Sequence, residues 1–266
     1  MEHLMVLFDT LSGIFRRLFR MITLPLWSVL IGVAALCFTA FRPRKIAMRK
    51  CAEFTRIWAW GAARLAGLKI SVTGEVPECG GLIVSNHTGP FDILVNASLF
   101  PVRFAPKKEL KYTPFIGQVV ALSRPVWIDR SRRLESGKTA AEILETVSNG
   151  VSMLVYPEGT STDGRSGILP FKSTAFGAAE SSGCPVIKLL LFFSCPDDPG
   201  KSSAWFGDTP FGTYLWHAIG LKKVEARVYI IGSTKIRETE NRKTLAARVH
   251  SEMSEAYWRI MHDEEL

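Results

Sequence analysis

Residues 21–41 contain no Asp, Glu, Lys or Arg. As a helix, that run reaches about 30 Å, the thickness of a bilayer's hydrocarbon core. It can fold only against lipid or inside a large apolar core. Pro25, near its start, is tolerable there. Ahead of it, Leu4, Leu7, Phe8, Leu11, Ile14, Phe15, Leu18 and Phe19 recur at helical spacing, and Arg16, Arg17 and Arg20 close the stretch. A basic amphipathic helix suits an anionic membrane surface, and it equally suits docking on the protein's own core. No small-residue cleavage site follows, which argues against a signal peptide. Arg42, Arg44, Lys45, Arg49 and Lys50 flank the other end. With both ends basic, the charge asymmetry favours a cytoplasmic globular domain only slightly. A bent helix sunk into one leaflet therefore rivals a full span. Residues 45–68 predict another helix, carrying Trp58, Trp60, Arg56 and Arg64 and stopped at Gly67. We expect residues 1–68 to form amphipathic and hydrophobic membrane-anchoring helices.

Residues 69–266 read differently. Short apolar runs at 69–73, 82–84, 102–105, 126–128, 151–156, 186–193 and 224–231 predict strands. Helical patterns at 134–149, 175–181 and 241–261 alternate with them. That alternation predicts an α/β domain with a mostly parallel mixed sheet flanked by helices. In such a sheet, the ends of the strands are where a site belongs. The net charge of +8 fits anionic partners. The charge is concentrated beside apolar segments, so a lipid surface is preferred over nucleic acid. Five scattered cysteines show no metal spacing, and the odd count fits a reducing compartment.

The densest polar block is Ser85-Asn86-His87-Thr88-Gly89-Pro90-Phe91-Asp92. It follows the apolar run Leu82-Ile83-Val84 and precedes Ile93-Leu94-Val95. Pro90 suits the first position of a helix, because its missing N–H has no partner there. This places His87 on the turn leaving a strand and Asp92 in the first turn of a helix. On one continuous helix the two would point about 140° apart. The Gly-Pro turn removes that obstacle. A carboxylate on one ring nitrogen fixes the tautomer and leaves the other nitrogen as a base. A surface ion pair would show the same spacing.

Taken in order, four blocks resemble those of the 1-acylglycerol-3-phosphate acyltransferase (PlsC-like) family. Asn86-His87-x4-Asp92 matches its catalytic block. Val126-Trp127-Ile128-Asp129-Arg130 is similar to the second, Tyr156-Pro157-Glu158-Gly159-Thr160 to the third and Pro185-Val186-Ile187-Lys188 to the fourth. Lys107-Lys108-Glu109-Leu110 with Pro114-Phe115-Ile116-Gly117 is similar to the family's linking segment. The resemblance covers roughly residues 69–236.

The resemblance implies acyl transfer from acyl-CoA or acyl carrier protein to a lysolipid hydroxyl, most simply that of 1-acyl-sn-glycerol-3-phosphate. No cofactor or metal is implied beyond the acyl donor as co-substrate. His87 and Asp92 would be catalytic. Asn86, Lys107, Arg130, Glu158, Gly159 and Thr160 would bind substrate. The enzyme would sit on a membrane with its catalytic domain at the cytoplasmic face. Two departures stand out. The family's Arg-Ser after the third block is Ser161-Thr162 here, which leaves Arg165 or Lys172 to meet an acceptor phosphate. Lys188 stands where the fourth block has Pro. The Ser-Thr-Asp-Gly continuation is similar to relatives that acylate lyso-ornithine lipid or other lysophospholipids. A catalytically inactive lipid-binding protein is the competing class, and the intact His87–Asp92 spacing counts against it.

Overall fold

The computed structural model describes residues 2–77, 80–113, 116–128, 135–198 and 200–262. Its centre is one six-stranded sheet in the order β1-β6-β5-β2-β4-β3. The strands are β1 (Leu68–Thr73), β2 (Leu82–Ser85), β3 (Val102–Phe104), β4 (Ser152–Val155), β5 (Val186–Ser194) and β6 (Val224–Thr234). Neighbours pair in parallel except β5 with β6, so the expected mostly parallel mixed sheet is present. The helices are α1 (Glu2–Thr39), α2 (Arg44–Leu65), α3 (Pro90–Leu99), α4 (Ile116–Leu122), α5 (Glu135–Ser148), α6 (Gly177–Ser182), α7 (Phe211–Ala218) and α8 (Arg242–Met261).

The central strands are continuously apolar because both faces of the sheet are covered. Successive side chains alternate between the two faces. Leu82, Val84, Met153, Val155, Val186 and Leu190 join Ile143 of α5, Ala178 of α6, and Leu245, Val249 and Tyr257 of α8. Ile83, Leu154, Ile187 and Leu189 face the other way, with Ala59 of α2 and Ala97 of α3. On that same side Leu191 and Val228 meet Ala63 of α2, Val95 of α3, and Tyr214 and Ala218 of α7. Helices α5, α6 and α8 therefore lie on one side of the sheet, and α2, α3 and α7 on the other. Residues 1–68 are not set apart from the sheet, since α2 completes its core.

The amphipathic and hydrophobic segments form the single helix α1, with Pro25 inside it. Its outer surface is apolar: Phe15, Leu18, Phe19, Ile22, Leu26, Val29, Leu30 and Val33 are exposed. Its inner surface docks. Trp27 Nε1 donates to Trp58 O at 2.9 Å, and Trp58 Nε1 to Ser28 Oγ at 2.9 Å. Of the two settings the sequence left open for Arg16, Arg17 and Arg20, the protein's own core is the one that engages them. Arg20 is buried and donates to Leu65 O, Ile219 O and Leu221 O at 3.0, 3.1 and 2.6 Å. Arg16 donates to Gly220 O at 3.0 Å and Arg17 to Trp216 O at 3.2 Å. These carbonyls end α2 and α7, where a cation is favoured and acceptors lack intrahelical donors.

Elsewhere the sequence expectations need adjusting. Residues 126–128 do not form a strand. They run beside the end of β3 through a single bridge between Lys107 and Ile128. Helices α4 and α7 were not anticipated. Helix α7 contains Gly212, Trp216 and His217, poor helix formers, and it holds through tertiary packing of Tyr214 and Ala218.

We predict that Arg20→Ala lowers unfolding free energy by about 2–4 kcal/mol, because it removes three charge-assisted bonds from buried carbonyls. Arg17→Ala, at an exposed site, should lower it by less than about 1 kcal/mol. Denaturant unfolding in detergent measures both, and equal small losses would contradict the docking role.

Candidate active site

Parallel strands β2, β4 and β3 bring their C-terminal ends to one end of the sheet. His87 follows β2, Glu158 follows β4, and Lys107 follows β3. As expected, Pro90 opens α3 and Asp92 stands in its first turn. The connecting Gly89 has φ +156° and ψ −165°, a backbone conformation open to glycine alone. A Cβ there would also lie 3.1 Å from Trp205 N.

Asp92 is fully buried, and four donors surround its carboxylate. His87 Nδ1 lies 2.8 Å from Oδ2. Gly89 N donates to Oδ2 at 3.0 Å, Thr88 N also donates to Oδ2, and Thr88 Oγ1 donates to Oδ1 at 2.7 Å. A carboxylate only accepts, so the proton between Asp92 and the ring belongs to His87 Nδ1. This leaves Nε2 as the basic nitrogen. The imidazole stacks on Tyr156, with centroids 4.3 Å apart and planes 18° apart. Burial pushes the Tyr156 phenol well above its ordinary pKa. Its hydroxyl accepts from Asn96 Nδ2 at 3.3 Å. Asn96 stands one helical turn after Asp92, so α3 supports both the edge of the imidazole and the ring beneath it.

Two expected substrate ligands are committed to the backbone. The Asn86 amide donates to Leu191 O at 3.0 Å and accepts from Leu191 N at 2.8 Å. It continues the β2–β5 ladder one step beyond β2, so Asn86 anchors the turn. Glu158 accepts from His87 N at 2.7 Å and from Leu169 N at 2.9 Å. It ties the His87 turn to the segment after β4. Burial pushes the Glu158 carboxyl up to about 7, against the opposing pull of its two backbone donors.

The other candidates are more peripheral. Gly159 adopts φ +76°, and the Lys172 amine lies against it. Thr160 and Lys107 are exposed. Asp129 and Arg130 lie outside the described residues. Position 161, where the family has Arg, is used structurally: Ser161 Oγ donates to Trp205 O. Thr162 N donates to His87 O at 2.9 Å. Arg165 lines a cavity of about 220 Å³ beside Thr88, together with Asp163, Ser194, Lys201 and Ser203. Lys188 pairs with Glu252 of α8 at 2.6 Å and serves packing.

Sequence reasoning missed Thr88, Tyr156 and Trp205 as parts of the site. Thr88 and Tyr156 lie inside the quoted blocks. Trp205 carried no local signal, yet its N–H donates to Thr88 O at 2.7 Å.

The family model described as Acyltransferase matches residues 69–190, which include the His87 and Glu158 turns. A 1-acyl-sn-glycerol-3-phosphate acyltransferase of Escherichia coli (strain K12) is 31% identical over 180 residues, spanning 65% of this chain and 72% of that protein. A lyso-ornithine lipid O-acyltransferase of Rhodobacter capsulatus is 32% identical over 190 residues, spanning 69% and 68%. The chain belongs to the acyltransferase family.

The solved structure of a 1-acyl-sn-glycerophosphate acyltransferase, PlsC, from Thermotoga maritima aligns with a TM-score of 0.69 over 95% of this chain and 98% of that one. At 18% identity, that likeness speaks for the fold. This acyltransferase is an enzyme of the PlsC-like family, as the ordered blocks implied.

The state of Glu158 generates a prediction about this acyltransferase. The folded protein keeps that proton to about pH 7, whereas an unfolded carboxyl releases it near 4.5. Between those values the folded state binds more protons, so stability falls as pH rises. It is fully present below about 4.5 and declines by roughly 3 kcal/mol by pH 8. Glu158→Gln should lose that slope in unfolding experiments across this range. Parallel pH profiles for variant and wild type would contradict the assignment.

Proposed function

We propose that this acyltransferase is a membrane-associated lysolipid O-acyltransferase. It moves an acyl chain from acyl-CoA or acyl carrier protein to 1-acyl-sn-glycerol-3-phosphate and gives phosphatidic acid. The observation that carries the reading is the His87–Asp92 pair: Nδ1 is held by a buried carboxylate and Nε2 is left to a substrate at the strand ends. His87 Nε2 takes the acceptor hydroxyl's proton as its oxygen attacks the thioester carbonyl. The tetrahedral intermediate collapses, the C–S bond breaks, and the imidazolium returns the proton to the departing thiolate. Asp92 stabilises the imidazolium between these steps. The thiolate of a thioester is a good leaving group, so no enzyme nucleophile or cofactor is needed.

In this reading His87 and Asp92 are catalytic. Asn86 and Glu158 position the His87 turn. Lys107, Gly159 and Thr160 form the substrate rim, Arg130 is assigned to the acceptor phosphate on its sequence block alone, and Arg165 and Lys172 supply positive charge where position 161 lacks it. An apolar groove among Ile31, Phe54, Trp58, Phe104 and Leu122 suits an acyl chain arriving from the lipid side. Helix α1 lies against α2 and the catalytic domain for most of its length. That packing supports insertion into one leaflet over a free span. Cys37, Cys51, Cys184 and Cys195 are all unpaired, which supports the cytoplasmic face.

A second acceptor reading rests on Ser161. With no guanidinium there, a lysolipid with an ornithine head group fits the turn equally well. The Rhodobacter capsulatus relative acts in its name on such a lipid.

The test incubates purified protein with each acyl donor and a panel of lysolipids, and reads products by mass spectrometry. We expect phosphatidic acid from 1-acyl-sn-glycerol-3-phosphate. Conversion of lyso-ornithine lipid alone would move the assignment to the second acceptor, and transfer to no lysolipid would overturn both.

A further inference from the structure

Helix α7 presents a lipid-binding surface of its own, and this inference rests on the membrane-associated reading above. We infer that Leu215 and Trp216 enter the same leaflet as α1, with an anionic phospholipid bilayer as their partner. Three observations converge on this.

The first is the division of α7 into two faces. Tyr214 and Ala218 pack into the core, while Leu215 and Trp216 are 40% and 53% exposed. Large exposed apolar groups side by side mark a contact surface.

The second is location. Helix α7 lies on the α2–α3 side of the sheet, where α1 also docks. Its last turn is fastened to α1 by Arg16, Arg17 and Arg20, which donate to the carbonyls of Gly220, Trp216, Ile219 and Leu221. Trp216 is thereby fixed at the level of the exposed Phe15, Leu18 and Phe19 of α1. The Arg17 guanidinium over the Trp216 ring joins the exposed pair of α7 to α1 at that level.

The third is chemistry. The Arg17 guanidinium lies 5.1 Å from the centroid of the Trp216 ring. A second exposed stack, Arg64 over Trp60 at 4.2 Å, ends α2. Arg20 bonds Leu65 O beside it, so both stacks stand at the same end of the α1–α2 hairpin. Indole rings favour the headgroup level of a bilayer, and guanidinium groups beside them meet lipid phosphates. The same helix packs Tyr214 and Phe211 against Trp205, whose N–H reaches Thr88 O. Lipid contact by α7 thus lies one layer from the catalytic turn.

The experiment uses full-length protein reconstituted with vesicles of phosphatidylcholine and phosphatidylglycerol. Tryptophan fluorescence is quenched with phospholipids brominated on the acyl chain. Trp258 of α8 is 44% exposed on the opposite side of the sheet and serves as control. We expect Trp216→Phe to lose part of the wild-type quenching and Trp258→Phe to lose none. The pair Leu215→Ser and Trp216→Ser together should weaken vesicle partitioning on the order of tenfold, the effect of two half-buried apolar side chains. If wild type floats and is quenched but Trp216→Phe is quenched equally, the α7 contact is overturned and the membrane reading stands. If wild type neither floats nor is quenched, both fall.

Discussion

The buried Asp92 carboxylate is the interaction on which the site depends. Alone, a charge with no exposure to water would be unstable. Four donors satisfy it, three of them from Thr88 and Gly89. The fourth is the His87 ring, so one group closes the turn, caps the start of α3 and orients the imidazole. The arrangement requires Gly89, because only glycine adopts the backbone that folds Thr88 back over the carboxylate. It also requires Pro90, which begins the helix early enough to put Asp92 within reach.

Other parts of the fold hold that turn from outside. Asn86 fastens its start to β5, Glu158 fastens the His87 amide to the segment after β4, and Trp205 holds the Thr88 carbonyl. His87 is thereby held at its backbone N–H by Glu158 and at its ring by Asp92. The same economy appears at α1. Its arginines fasten the ends of α2 and α7, and its apolar side is left facing outward. The apolar outer surface of α1 and the His87 turn are therefore linked through packed helices on one side of the sheet.

What could be read from the sequence was local. The Gly-Pro turn and the apolar runs on either side placed His87 and Asp92 correctly, because that geometry is decided within eight residues. The apolar runs anticipated the six strands, the run at 126–128 forming only a bridge, and their alternation with helical patterns anticipated a sheet flanked by helices. Where the sequence is silent, distant partners decide. Nothing near Asn86 or Glu158 in the sequence says that backbone groups will occupy these side chains. For Arg16, Arg17 and Arg20 the sequence left a membrane surface and the protein's own core equally open, because most of their carbonyl partners lie about 200 residues later. Helix α7 has weak propensity and exists through its packing, and Trp205 reaches the site only through the fold.

The central claim is that His87 and Asp92 act as one unit. A double-mutant cycle with His87→Ala and Asp92→Asn, on variants first shown to be folded by circular dichroism, tests it most directly. His87→Ala should lower turnover on the order of 10²–10⁴-fold. Asp92→Asn should also lower it strongly, since an amide stabilises the imidazolium less well. The double variant should be little slower than His87→Ala alone. Multiplicative losses, or a folded His87→Ala variant with near wild-type turnover, would contradict the account.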